Sequence, residues 1–245
     1  MKLALIGYGK MGKMIEQMAI EKGHSVVAVI STPTASRHMT AASLRDAEVC
    51  IDFTHPTHIL HNVERVAALK KNLIIGTTGW YDKLDVIQNI IDQYKIGCLY
   101  APNFSIGVNI FLRMVADAAN IIDQFDEYDI AGFEAHHNQK ADSPSGTGKL
   151  IAETLVDKIR RKKSIIYDLG NRKIQQDELH FPSLRCGSTP GTHEVLFDSS
   201  DDTISLTHTA RNREGFAKGA VAAAEWIKGK EGLYTIQDMI NMMVE

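Results

Sequence analysis

The chain opens with an apolar run, Lys2 to Ile6, that has no helical period; GYGKMG follows at once, and then Met11, Met14, Ile15, Met18 and Ala19 fall at helical spacing. This order predicts a strand, a tight turn and a helix. Gly23 is a stop signal, and the β-branched run Ser25 to Ile30 predicts a second strand, apolar enough to be expected buried on both faces. The rhythm repeats with a strand over Val49 to Phe53, an amphipathic stretch from Pro56 to Lys71, a strand over Leu73 to Gly76, a helix from Lys83 to Tyr94 and a strand over Ile96 to Tyr100. Strands alternating with helices imply an α/β fold with a Rossmann-like, doubly wound parallel sheet. Right-handed crossovers would bring Gly7, Phe53, Thr77 and Pro102 to one sheet edge, where ligands bind in such folds.

Beyond a further helix at Gly107 to Ile121 the grammar changes. YDIAGFEAHH (Tyr128 to His137), a helix from Thr147 to Arg161, and then HFPSLRC, THEVLFD and DTISLTHTA supply successive strands with few helices between them. An α+β second domain with a mixed or antiparallel sheet is expected, over residues 108–214. The helix from Gly215 to Gly229 is expected to return, with the rest of 215–245, to the domain formed by residues 1–107.

Composition narrows the function classes. With 27 basic and 30 acidic residues among 245, the chain has no overall attraction to nucleic acid or to a membrane surface. Cys50, Cys98 and Cys186 are odd in number and form no CxxC pair, which fits free thiols in a reducing compartment. The apolar run in MKLALIGYGK is too short for a signal peptide, and a cytoplasmic location is expected.

Two segments carry chemistry. In the first, Gly7, Tyr8, Gly9, Lys10, Met11 and Gly12 match G-x-G-x-x-G between a strand and a helix. The first glycine permits the turn, the second admits a pyrophosphate, the third lets the helix pack, and the helix start offers N–H groups to phosphate. NAD sites usually carry an acid at the end of the second strand; Ser31 and Thr32 stand there, with Lys10 and Arg37 nearby, so NADPH is expected to be accepted at least as well as NADH.

The second segment, Glu134 to Lys149, reads EAHHNQKADSPSGTGK. His136, His137 and Lys140 form a local cationic cluster, followed by the helix-start signal Ser145-Gly146-Thr147, which suits an anionic substrate and proton transfer. It is not a P-loop, because Ser143 and Leu150 occupy positions that would need glycine and Ser or Thr. His55, His58 and His61 recur every three residues but lack a completing carboxylate or cysteine, so no metal site is expected. Structural pairing is expected for Arg185, His193, His208 and Arg213, and solvated faces for Lys218 and for Arg160 to Lys163.

With GYGKMG, IDFTHP (Ile51 to Pro56), GTTG (Gly76 to Gly79), APNFSIGVN (Ala101 to Asn109), EAHHNQKADSPSGT, RCGSTPGTHEVLF and LTHTARNREGFAKGA in one order, the chain resembles the bacterial dihydrodipicolinate reductase family, also called 4-hydroxy-tetrahydrodipicolinate reductase. The resemblance implies NADPH- or NADH-dependent reduction of a cyclic dicarboxylate, with loss of water, on the route to diaminopimelate and lysine. It implies that His136 is the main proton donor and Lys140 a second donor and carboxylate clamp. His137, Ser145, Gly146 and Thr147 would hold a substrate carboxylate, while Phe53, Gly76, Thr77, Thr78, Ala101, Asn103 and Phe104 would lie along the cofactor. A homotetramer built through the second domain's sheet is implied as well. Two departures are visible: many members have an acid where Ser31 stands, and some have a glycine loop one residue longer. A related amino-acid dehydrogenase, of aspartate or diaminopentanoate type, would share the glycine loop but would not need HHNQK followed by PSGT.

Overall fold

The computed structural model describes residues 1–31 and 39–244. Thr32 and Arg37 lie outside the described residues. In chain order the elements are β1 (Lys2–Ile6), α1 (Lys10–Glu21), β2 (Ser25–Ile30), β3 (Val49–Asp52), a 3-10 turn at Pro56–His58 leading into α2 (Ile59–Ala68), and β4 (Asn72–Ile75). They continue with α3 (Leu84–Tyr94), β5 (Gly97–Tyr100), α4 (Ile106–Ile122), β6 (Asp129–His136), α5 (Gly146–Lys158), β7 (Ser164–Ile166), β8 (Glu178–His180) and β9 (Ser183–Arg185). Last come β10 (Thr192–Asp198), β11 (Thr203–Thr209), α6 (Glu214–Ile227), β12 (Gly232–Thr235) and α7 (Ile236–Val244).

These elements form two compact units, Met1–Ile106 with Glu214–Glu245, and Gly107–Arg213. The first holds a six-stranded, fully parallel sheet in the order β12-β5-β4-β3-β1-β2. One face is covered by apolar residues of α1, α6 and α7, among them Ile15, Met18, Val221, Ala224, Ile227 and Met239. Residues of α2 and α3 (Val63, Val66, Ile87 and Ile91) cover the other. The chain reverses direction across the sheet between β1 and β3, which is where a doubly wound sheet opens a crevice at its strand ends.

The structure corrects one reading of this unit and adds to another. The run Ser25 to Ile30 does form a strand, but an edge strand, with Val27 38% and Val29 41% exposed. Its β-branched residues determine an extended backbone; burial depends on neighbours, and β3 returns to the far side of β1. The short strand β12 adds in parallel beside β5, a pairing that no local pattern announced.

The second unit holds a mixed sheet in which β11, β10 and β6 are antiparallel, while β8 and β9 join β6 in parallel and β7 joins β8. Its buried residues include Val115, Ile130, Ile151, Leu155, Phe181, Val195 and Phe197. The basic stretch Arg160 to Lys163 is a solvated face only in part: Arg160 and Lys163 are exposed, whereas Arg161 is half-buried and Lys162 is buried. Lys162 is 3% exposed, its Nζ donating to the carbonyls of Gln176 and Glu178 at 2.9 Å each and pairing with Asp129 at 2.6 Å. Arg161 donates to the Tyr128 carbonyl and Arg160 pairs with Asp123, both at 2.6 Å. Tertiary carbonyls and carboxylates that a sequence window does not contain are what made burial of Lys162 and part of Arg161 tolerable.

Candidate active site

The first site is a cleft of about 360 Å³ at the ends of β1, β3 and β4, lined by Gly9 to Gly12, Phe53, Thr54, Pro56 and Gly76 to Thr78. Gly7 starts the turn with φ at +90°, its N–H donating to the Ile30 carbonyl at 2.8 Å; a Cβ there would lie 2.3 Å from the Phe53 carbonyl oxygen. A Cβ on Gly12 would lie 2.4 Å from the Gly7 oxygen, whereas one on Gly9 would meet nothing within 4 Å. The loop is therefore closed by protein at two glycines and open at the third. Gly9 also caps α1 without any side-chain hydrogen bond, and the first turn of the helix has no acid. Unshared N–H groups and the positive end of the helix face an open space, as a pyrophosphate requires.

Beneath the cleft lies Asp52, wholly buried at the end of β3. Its Oδ1 accepts from the Thr54 backbone (2.9 Å), the Thr54 hydroxyl (2.7 Å) and the Thr77 hydroxyl (3.0 Å), and its Oδ2 from Asn62 (2.7 Å). Burial pushes the carboxyl's pKa up, against those hydrogen bonds. Asp52, Thr54 and Asn62 were not singled out from the sequence; an acid ending an apolar strand was the available signal.

Other expected cofactor residues are placed differently. The Tyr8 hydroxyl donates to Glu16. Ala101 and Phe104 are buried, Phe104 with its ring 6.0 Å from that of Phe53, and the Asn103 side chain accepts from the Ser105 N–H at 2.8 Å. None of these three lines the cleft, and Ser31 is exposed just past β2.

The second site belongs to the second unit. Period-two alternation along β6 turns Ile130, Gly132, Glu134 and His136 inward. Glu134 is wholly buried, and its carboxylate accepts from the Ser145 N–H (2.9 Å), the Ser145 hydroxyl, the Ser183 hydroxyl (3.0 Å) and Arg185 Nη2 (3.1 Å). Oε1 lies 3.7 Å from Nδ1 of His136, and Oε2 lies 3.5 Å from Nε2 of His193. Burial alone would raise the Glu134 pKa, but the hydrogen bonds from His193, Ser145 and Ser183 outweigh it and hold the group well below the usual carboxylate range. A Cβ on Gly148 would lie 2.5 Å from Oε2, so the second glycine of PSGTG leaves room for this acid.

His136 is buried edge-on against His193, with ring centroids 5.3 Å apart. Burial lowers its pKa to about 4, Glu134 acting in the opposite sense and His193, Lys140 and Arg185 adding to the drop. An exposed imidazole titrates near about 6.5; desolvation within the fold displaces that of His136. Lys140 pairs with Asp142 at 2.8 Å. Ser145 caps α5, its hydroxyl accepting from the Gly148 N–H at 3.0 Å, so that side chain is fully engaged within the protein. Gly146 is exposed and Thr147 half-buried at the start of the same helix, and His137 is half-buried just past β6. Arg185 and His193, expected to serve in structural pairs, do pair, but with the carboxylate beside His136. His208 packs near Phe111, and Arg213 is exposed. Donor atoms of Glu134, His136 and His193 lie within 4.8 Å of one another, as metal ligands can, but the carboxylate already answers to a guanidinium and two hydroxyls.

The family described as "Dihydrodipicolinate reductase, N-terminus" matches residues 1–104, and that described as "Dihydrodipicolinate reductase, C-terminus" matches residues 107–240. The chain belongs to the dihydrodipicolinate reductase family. Among curated members, the 4-hydroxy-tetrahydrodipicolinate reductase of Christiangramia forsetii is 34% identical over 241 residues, covering 98% of both chains. The enzyme of the same name from Staphylococcus aureus strain MSSA476 is 36% identical over 249 residues, covering 98% of this chain and 100% of that one. A structure described as dipicolinate-bound dihydrodipicolinate reductase from Paenisporosarcina sp. TG-14 shares the fold, with a TM-score of 0.77, 21% identity and coverage of 97% and 98%. Amine dehydrogenase from Mycobacterium smegmatis has a related fold, with a TM-score of 0.64 at 10% identity. Membership of this reductase family implies a pyridine nucleotide cofactor. No helix among the described residues is long and apolar enough to cross a membrane.

Proposed function

We propose that this member of the family reduces 4-hydroxy-tetrahydrodipicolinate to tetrahydrodipicolinate with loss of water, in diaminopimelate and lysine biosynthesis. The observation that carries the reading is the second site: a buried imidazole at His136 beside an ionised carboxylate, in one unit with the exposed start of α5. The first unit binds the dinucleotide. Gly9 to Gly12 and the uncapped start of α1 cradle the pyrophosphate, and Phe53 and Gly76 to Thr78 shape the adjoining wall. When bound, the nicotinamide supplies the hydride.

The remaining work falls to side chains. His136 donates a proton as water leaves, Lys140 holds a substrate carboxylate and serves as a second donor, and His137 with the Gly146 and Thr147 N–H groups holds the other carboxylate. NADPH is accepted at least as well as NADH, because Ser31 offers no carboxylate to repel a 2′-phosphate and Lys10 adds a cation at the cleft. The protein works in the cytoplasm as a homotetramer; exposed Leu184 and Ile204 on strands of the second unit's sheet supply apolar area for such contacts. Light scattering after gel filtration tests the assembly.

The activity is tested by following NADPH and NADH oxidation with freshly made condensation product of pyruvate and aspartate semialdehyde. Turnover is expected with at least one cofactor, and its absence with both overturns the reading. His136→Gln is expected to lower kcat by about a hundred-fold or more with little change in cofactor affinity. Unchanged turnover removes His136 from the mechanism.

A further inference from the structure

Packing alone does not explain Glu134. A wholly buried carboxylate is destabilising unless it is fully paired, and a hydrophobic residue of similar size would serve a core better. Its partners, moreover, are not scattered. They are Ser145 at the start of α5, Ser183 and Arg185 on β9, His193 on β10, and His136 two residues along its own strand.

Two features of His136 point the same way. Its Nδ1 is buried and accepts or donates no hydrogen bond, with the Glu134 oxygen at 3.7 Å the group of opposite charge facing it. Its Nε2 faces Gly191, whose φ of +149° and missing side chain leave that nitrogen uncovered; a Cβ there would lie 3.0 Å from it. A carboxylate on the Nδ1 side favours the proton at Nδ1 in the neutral ring and leaves Nε2 to exchange protons with a ligand.

We infer that Glu134 is a positioning residue that couples the proton donor to the carboxylate cradle: one carboxylate orients the His136 ring and, through Ser145, fixes the start of α5. The inference rests on the functional reading above. It differs from a purely structural role because the carboxylate's charge acts on His136 as well as its hydrogen bonds on Ser145. The charged and titratable groups facing His136 are Glu134 from its own strand, His193 from β10, Arg185 from β9 and Lys140 from the following loop; of these only Glu134 favours the protonated ring.

The test compares wild type, Glu134→Gln and Glu134→Asp. Glu134→Gln is expected to lower kcat about ten- to a hundred-fold, the usual cost of losing a group that orients a catalytic one, and to move the pH at which kcat/KM falls on the alkaline side down by about one unit. Glu134→Asp, which keeps the charge one methylene back, is expected to recover part of that pH shift while binding dipicolinate several-fold more weakly by calorimetry. Nuclear magnetic resonance of 15N-histidine protein, with His136 assigned by His136→Gln, reads the tautomer and titration without turnover. A wild type that does not turn over sinks the functional reading, and the resonance titration then decides this one separately. If Glu134→Gln does not fold, the aspartate variant carries the test. Loss of thermal stability with the His136 titration, pH profile and dipicolinate affinity unmoved reduces Glu134 to a structural residue and overturns the inference.

Discussion

In the free protein His136 is neutral across most of the physiological range, because burial holds its pKa at about 4. A proton donor must acquire its proton before it can give it, and an anionic ligand is what can change the balance. A carboxylate held about 5 Å from the ring, at an effective dielectric of about 20, attracts the imidazolium by about 3.3 kcal/mol, or about 2.4 pK units. One such contact lifts His136 from about 4 to about 6.4, so dipicolinate binding near pH 6 should take up about 0.7 proton, falling to about 0.2 at pH 7. The sign is set by the direction of the shift: the bound form holds more protons than the free form between the two values. Affinity therefore rises as pH falls from about 6.4 towards 4, by up to tenfold per unit. Glu134, held well below the usual carboxylate range, stays anionic throughout and does not contribute. Titration calorimetry in buffers of different ionisation enthalpy measures the uptake directly as the slope of observed heat against buffer heat. A slope of zero from pH 5.5 to 7, or the same slope for His136→Gln as for wild type, would refute proton uptake at His136.

Further outcomes follow from the glycines and from Asp52. Gly7→Ala forces a Cβ to within 2.3 Å of a backbone oxygen at φ +90° and should lower Tm, whereas Gly9→Ala meets no protein atom and should leave Tm unchanged while weakening NADPH binding. Equal effects of the two on Tm would contradict the assignment of open and closed glycines. Gly148→Ala crowds the Glu134 carboxylate and the Phe181 ring, and should cost about 1–3 kcal/mol by denaturant unfolding; a neutral result would mean that the start of α5 moves freely. Asp52→Ala removes the carboxylate acceptor shared by Asn62 and both threonines and should cost about 2–4 kcal/mol, with weaker nucleotide binding measured by fluorescence. Full stability in that variant would show the network to be incidental.

Much of this molecule is written in local pattern. The alternation of apolar runs and helical periods yields five of the six parallel strands, and GYGKMG between a strand and a helix is enough to place a dinucleotide loop, because the turn, the close approach and the helix packing each require glycine at a fixed offset. The string from Glu134 to Thr147 likewise presents the imidazoles, the ammonium and the cap within one short segment. What the pattern could not supply was neighbours. The edge position of β2, the late strand β12 beside β5, and the burial of Lys162 all depend on segments distant in the chain. The same holds for the chemistry: the depressed pKa of His136 is a property of its enclosure, and Glu134 becomes a hub only when β9, β10 and α5 converge on it. Backbone conformation and residue chemistry are short-range and survive in sequence, whereas dielectric surroundings and charge partners are made by the packing of distant segments and exist only once the chain has folded.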